Sequence, residues 1–195
     1  MMKLYKTMAL AALAAGIFGS TALASNMVEV SQGDVMLSLT NARNELVFSE
    51  NGKEIRFMLN RNDDNWYELQ MANKGNFLSY GLYWRIREEA LGGLVQRCHI
   101  TQYQEQDSGR YFYGVDIYSD VNDTYHSYLV GRDANDAAHE YVDSYYFAGK
   151  RIQHPHIWAE NGFLYIGHNG PEDESNPSYE LYWSQDSQWF GYNAL

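Results

Sequence analysis

Apolar and aromatic positions along the chain come in short runs that turn signals interrupt. After Asn26 the runs lie near residues 34–39, 45–49, 54–59, 66–71, 77–87, 94–103, 110–118, 125–130, 140–148, 156–159, 163–167 and 178–184. They recur about every ten residues and are rich in Tyr, Val, Phe and Trp, which is the signature of short half-buried strands. No long stretch repeats at helical spacing; residues 86–92 offer one helical turn at most. The pattern predicts an all-β fold: an antiparallel two-sheet sandwich of jelly-roll type, formed as a single domain over residues 25–195.

Two hairpins are marked by Asn-Gly, the pair that suits a turn needing positive φ at both central positions. Asn51-Gly52 lies inside ELVFSENGKEIRFML and predicts Phe48 opposite Ile55 and Leu46 opposite Phe57. Asn161-Gly162 predicts Ile157 opposite Ile166 and Trp158 opposite Tyr165.

SYGLYW at Ser79 and SYELYW at Ser178 share five of six letters. Strand alternation turns the shared Tyr, Leu and Trp inward, including Tyr179, Leu181 and Trp183, so the repeat is a packing pattern. The residues left outward by the first copy are Tyr83, Arg85 and Arg87. The next run places Cys98 and Ile100 inward and Arg97, His99, Thr101 and Tyr103 outward. A hairpin near Leu91 would pair Arg85 with Arg97 and Tyr83 with His99. Folding back across Gln106-Asp107 would then set Asp116 beside Arg97 and Gly114 beside His99. The expected ligand-binding face is therefore Tyr83, Arg85, Arg87, Arg97, His99 and Asp116, with Tyr118 at its margin. Arginine forks fit carboxylates and tyrosines present an apolar ring with a polar tip, as a glycan or anionic ligand requires.

Composition changes the picture in three ways. The opening MMKLYKTMALAALAAGIFGSTALA has Lys3 and Lys6, an apolar run from Met8 to Phe18, and a final Ala22-Leu23-Ala24. That is the form of a secretory signal over residues 1–24, which predicts a periplasmic or secreted protein without membrane insertion. The chain has 14 basic and 25 acidic residues, for a net −11; without the two leader lysines the balance is 12 against 25, or −13. Such a field repels phosphate backbones and excludes nucleic acid as a partner, while it suits a basic protein. The single cysteine, Cys98, cannot form an internal disulfide and is read as a small buried hydrophobe.

Other chemistry is weaker. His154 and His156 share a strand face, as metal ligands would, but the second hairpin pairs Pro155 with His168 and turns His168 to the opposite face. Asp120, Asn122 and Asp123, and again Asp133, Asn135 and Asp136, could hold calcium, although these are also ordinary turn residues. No other cofactor is expected. Cys98 and His99 point to opposite faces, and no G-x-S-x-G or phosphate-cradling glycine loop is present. Tyr146-Phe147-Ala148-Gly149 with Gln153 is similar to the YFKAG-type element of jelly-roll alginate lyases, and Arg85 to Glu88 to their Arg-rich strand. In that family the element lies close to the C-terminus, whereas 46 residues follow Gly149 here, and no residue role is carried over.

Three classes of function follow: a binding protein for a glycan or other polar, anionic ligand; a polysaccharide lyase or hydrolase with Tyr83 or His99 as acid/base and arginines neutralising a carboxylate; and a periplasmic inhibitor or immunity-type protein meeting a basic enzyme through an acidic loop such as 171–177.

Overall fold

A computed structural model describes residues 26–36, 45–61, 66–73, 83–87, 95–119, 124–133, 135, 138–143, 155–168 and 176–195. Every ordered element among them is a β-strand and every ladder is antiparallel. The strands are β1 (Met27–Met36), β2 (Glu45–Glu50), β3 (Lys53–Arg61), β4 (Trp66–Asn73), β5 (Tyr83–Arg87), β6 (Val95–Glu105), β7 (Arg110–Ser119), β8 (Thr124–Arg132), β9 (Ala138–Asp143), β10 (Pro155–Glu160), β11 (Phe163–His168), β12 (Asn176–Ser184) and β13 (Trp189–Ala194). They form a five-stranded sheet β1-β6-β7-β8-β9 and two four-stranded sheets, β2-β3-β4-β5 and β10-β11-β12-β13.

Both Asn-Gly hairpins form with the expected register. Phe48 faces Ile55 and Leu46 faces Phe57; Ile157 faces Ile166 and Trp158 faces Tyr165. All four turn residues have positive φ: Asn51 48°, Gly52 82°, Asn161 50° and Gly162 85°. The turn residues are therefore the cause of the register and not incidental to it.

The five-stranded sheet is apolar on both faces, which period-two alternation does not predict. One face contributes Val35, Cys98, Ile100, Tyr113, Val115, Ile117, Tyr128 and Val130 to a core shared with Phe48, Ile55, Phe57 and Leu59 of β2 and β3. The opposite face contributes Tyr103, Phe112, Leu129 and Tyr141 to a second core, shared with Ile157, Leu164, Ile166, Tyr179, Leu181, Trp183 and Phe190. Thr101 and Tyr103, expected to face outward, are buried. The reason is the four-stranded sheet beyond residue 155, against which Tyr103 donates a hydrogen bond to the Ile157 carbonyl at 2.7 Å.

A polar chain, buried at its centre, ties the first hairpin to the central sheet. Ser31 donates to Gln102 (2.9 Å), whose amide donates to the Ser49 carbonyl (2.9 Å) and to Tyr113 (3.3 Å). Tyr113 donates to Glu50 (2.8 Å), and Glu50 pairs with Arg132 at 2.9 Å. Burial makes the bonds at Gln102, Tyr113 and Glu50 necessary, because an unmade one would cost the desolvation of the group.

Candidate functional site

The expected pairing of Arg85 with Arg97 and of Tyr83 with His99 does not form. β5 pairs with β4, Glu68 facing Arg85 and Gln70 facing Tyr83, whereas β6 is held between β1 and β7. Tyr83, Arg85 and Arg87 thus belong to one sheet and Arg97, His99 and Asp116 to another. The side chains of Tyr83, Arg85, Arg87, Arg97 and Tyr118 lie outside the described residues. The hairpin near Leu91 is replaced by a ladder between residues about 70 apart in sequence, such as Asp34 with His99.

Within the central sheet, Asp116 pairs with His99 and Gly114 with Thr101, two residues off the expected register. The cause is a four-residue turn over 106–109, closed by a Gly109 N–H to Glu105 carbonyl bond of 2.8 Å and by positive φ at Gly109 (70°). A shift of two leaves every side chain on its expected face, so Cys98 and Val115 stay together in the core.

His99 and Asp116 are accordingly brought side by side on one face. His99 Nδ1 lies 2.8 Å from Asp34 Oδ1, and Nε2 lies 3.0 Å from Gln32 Oε1. Both ring nitrogens face oxygen, which an imidazolium satisfies directly and a neutral ring satisfies only with the Gln32 amide turned over. Asp116 is buried and accepts a hydrogen bond from Ser127. Cys98, directly behind, is fully buried, and burial pushes its thiol well above the ordinary cysteine value; it is packing and not a nucleophile. Among the described residues no group of three or more His, Cys, Asp or Glu could hold a metal. Pro155 pairs with His168, as expected; His154 and Asp120, Asn122 and Asp123 lie outside the described residues. Asn135 N–H donates to Asp133 Oδ1 at 2.8 Å, an ordinary side-chain-closed turn.

A different cluster has the stronger chemical character. It lies where the start of β7, β9, the end of β12 and the start of β13 converge. Trp183, Phe190, Phe112 and Tyr141 form its floor, with Tyr141 edge-on to Trp183 at 5.6 Å and to Phe190 at 5.6 Å. Gly131 makes room for this: a Cβ there would lie 3.0 Å from Phe112, 3.2 Å from Tyr141 and 3.1 Å from the Tyr111 carbonyl. Trp189 stands over the floor, 44% exposed. His139 meets it edge-on at 5.0 Å and Tyr141 at 5.3 Å, which fixes the plane of the indole. The Arg110 guanidinium lies 5.2 Å from the Trp183 ring centre, a cation–π contact.

Four side-chain nitrogens among the described residues are buried without a hydrogen-bond partner, and three belong to this cluster: Arg110 Nη1, His139 Nε2 and Trp183 Nε1. Trp183 and Arg110 can only donate; the His139 nitrogen donates or accepts according to tautomer. Burial pushes the Tyr141 hydroxyl above its ordinary value, while Arg110 pulls it back.

Comparison with protein-family models, curated proteins and solved structures finds no match. The functional reading therefore rests on geometry. Sequence reading ended its runs at 184 and so missed β13 altogether, although W-F-G-Y after the Asp186 turn carries the right alternation. Arg110 had no distinguishing local context, because its isolation from acids is a property of the packed state.

Gly131→Ala should lower stability by about 1–3 kcal/mol, since the added methyl meets a backbone oxygen that cannot swing away. Thermal denaturation followed by near-UV circular dichroism is the check. An unchanged aromatic signal and melting temperature would mean that the cluster does not depend on close approach at Gly131.

Proposed function

We propose that the protein is a periplasmic or secreted binding module that takes a glycan at the Trp189–Arg110–His139 cluster. The observation that carries this reading is the set of three partnerless buried nitrogens in one aromatic cluster with an indole whose plane is held and whose surface is half open. An aromatic face offers a stacking surface for a sugar ring, and fixed donors provide partners for its oxygens; ligand sites combine these two features. Arg110 disfavours a cationic ligand. A sandwich architecture belongs to the same proposal and is supported by the two apolar faces of the central sheet. Ladders that join sequence neighbours everywhere except β1–β6 favour meander-built layers over jelly-roll order. The leader-like residues 1–24 support export.

A panel of neutral and acidic polysaccharides, with binding and product release both measured, tests the reading. Trp189→Ala should weaken binding by about 1 kcal/mol or more, roughly fivefold, with the variant still folded because nearly half of the side chain is exposed. Equal binding by the variant would sink the proposal. A second reading, a polysaccharide-active enzyme, is favoured by the His99–Asp34 pair, in which a carboxylate orients an imidazole as in a general base. Product release abolished by His99→Ala would put that reading first. The inhibitor reading has no comparable support; residues 171–175 lie outside the described set.

A further inference from the structure

We infer that the ligand of the Trp189 cluster presents a carboxylate to Arg110, so that the glycan is an acidic one, built of uronic acid units. This rests on the glycan reading and makes it more specific. The other arginines with described side chains meet acids within the chain: Arg56 pairs with Glu45 and Glu54, and Arg132 with Glu50. Arg110 pairs with none among the described residues, in a chain with nearly twice as many acids as bases. Its cross-strand neighbour is Glu105, the natural partner, yet both carboxylate oxygens of Glu105 are already engaged. Oε1 accepts from the Asp107 N–H at 3.3 Å, and Oε2 accepts from the Ser108 N–H at 2.7 Å and from Gln185 at 3.1 Å. The turn over 106–109 and the turn of the last hairpin thus direct the Glu105 carboxylate to their own donors, and no ion pair between it and Arg110 forms. Asp133, whose charge acts on the neighbouring Tyr141, accepts from the Asn135 N–H.

The guanidinium is left with a buried, unfilled Nη1, beside two further nitrogens in the same state. Trp183, one of the two, is only 3% exposed. Native proteins rarely leave such donors unsatisfied, because each costs the desolvation of a polar group. Two of them, on Trp183 and Arg110, can only donate, and the His139 nitrogen joins them in one tautomer; together they call for an acceptor from outside the chain. A carboxylate suits them best: its two oxygens match the guanidinium fork, its charge complements Arg110, and its spare lone pairs can take the indole N–H and the imidazole. The sugar ring that carries it then lies against Trp189.

The test uses oligogalacturonate and its fully methyl-esterified form, which share a backbone and differ only in the free carboxylate. Binding is followed by tryptophan fluorescence at constant ionic strength. The acid should bind at least about tenfold more tightly than the ester, and Arg110→Gln should remove that difference while retaining the weaker binding. Equal affinity for acid and ester, or an acid preference that survives Arg110→Gln, overturns the inference and leaves the glycan reading standing. If neither saccharide binds, the glycan reading fails, and acetate then decides the carboxylate: a saturable fluorescence change lost in Arg110→Gln upholds it, and no change rejects it. Should Arg110→Gln not fold, Arg110→Lys keeps the charge but loses the fork, and the same loss of acid preference is expected.

Discussion

Raising the pH from 8 to 11 should remove about 5 kcal/mol of stability and bring the protein to the edge of unfolding. Cys98, Tyr103 and Tyr113 are buried, and burial is the main cause that pushes each group well above its ordinary value of 9.0 for the thiol and 10.0 for the phenols. Neighbouring carboxylates add to it, Asp116 for Cys98 and Tyr103, and Glu50 for Tyr113. In the unfolded chain these groups ionise near their ordinary values; in the folded protein they keep their protons. Above pH 9 the native state therefore binds more protons than the unfolded state, and stability falls as pH rises. The contribution is complete below the unfolded value and is lost between it and the folded value. Each group costs about 1.4 kcal/mol per pH unit in that window. By pH 11 this amounts to about two units for the thiol and one for each phenol, against total stabilities of about 5–15 kcal/mol for most proteins. Urea denaturation at pH 8, 9, 10 and 11 measures the slope. Cys98→Ala, destabilised at every pH, should show a shallower slope between 9 and 11. A urea midpoint that stays constant across the range would refute the assignment of these groups as buried and neutral.

Replacing Arg132 with Met should cost about 3–5 kcal/mol, a fall of roughly 10 °C or more in melting temperature for a domain of this size. Arg132 and Glu50 are 2.9 Å apart, with each side chain only 10% exposed. Removing the cation leaves a carboxylate in a low-dielectric setting, and the loss of one partner is far costlier than the net worth of the pair. Glu50 also accepts the Tyr113 hydroxyl, so its disturbance travels along the chain through Gln102 to Ser31. Glu50→Gln keeps an acceptor for Tyr113 and removes the charge, and the double variant Arg132→Met/Glu50→Gln should recover a good part of the loss. If Arg132→Met costs less than about 1 kcal/mol, or if the double variant is no better than the single, the pair is solvated and does not hold the first hairpin to the central sheet.

What local chemistry specifies, the sequence determined by itself. Asn51-Gly52 and Asn161-Gly162 set two registers to the residue, because positive φ at two successive positions leaves one tight hairpin that the flanking apolar residues accept. Alternation placed Cys98, Ile100, Val115 and Ile117 on one buried face, and Tyr179, Leu181 and Trp183 on another. It survived even the two-residue error across 106–109, since a strand repeats every two residues. The all-β, helix-free character of the described chain is of the same kind. Only the tertiary structure decided which hairpins pair with which. β6 chose β1, about 70 residues away, over β5, about ten away, and nothing local marks a partner at that distance. That choice separated Arg85 from Arg97 and set His99 beside Asp34. Burial of both faces of the central sheet was equally hidden, because Thr101 and Tyr103 look outward until a further sheet covers them. The candidate site is tertiary throughout: Arg110 pairs with no acid among the described residues, while Glu105, its cross-strand neighbour, accepts from Ser108, Asp107 and Gln185.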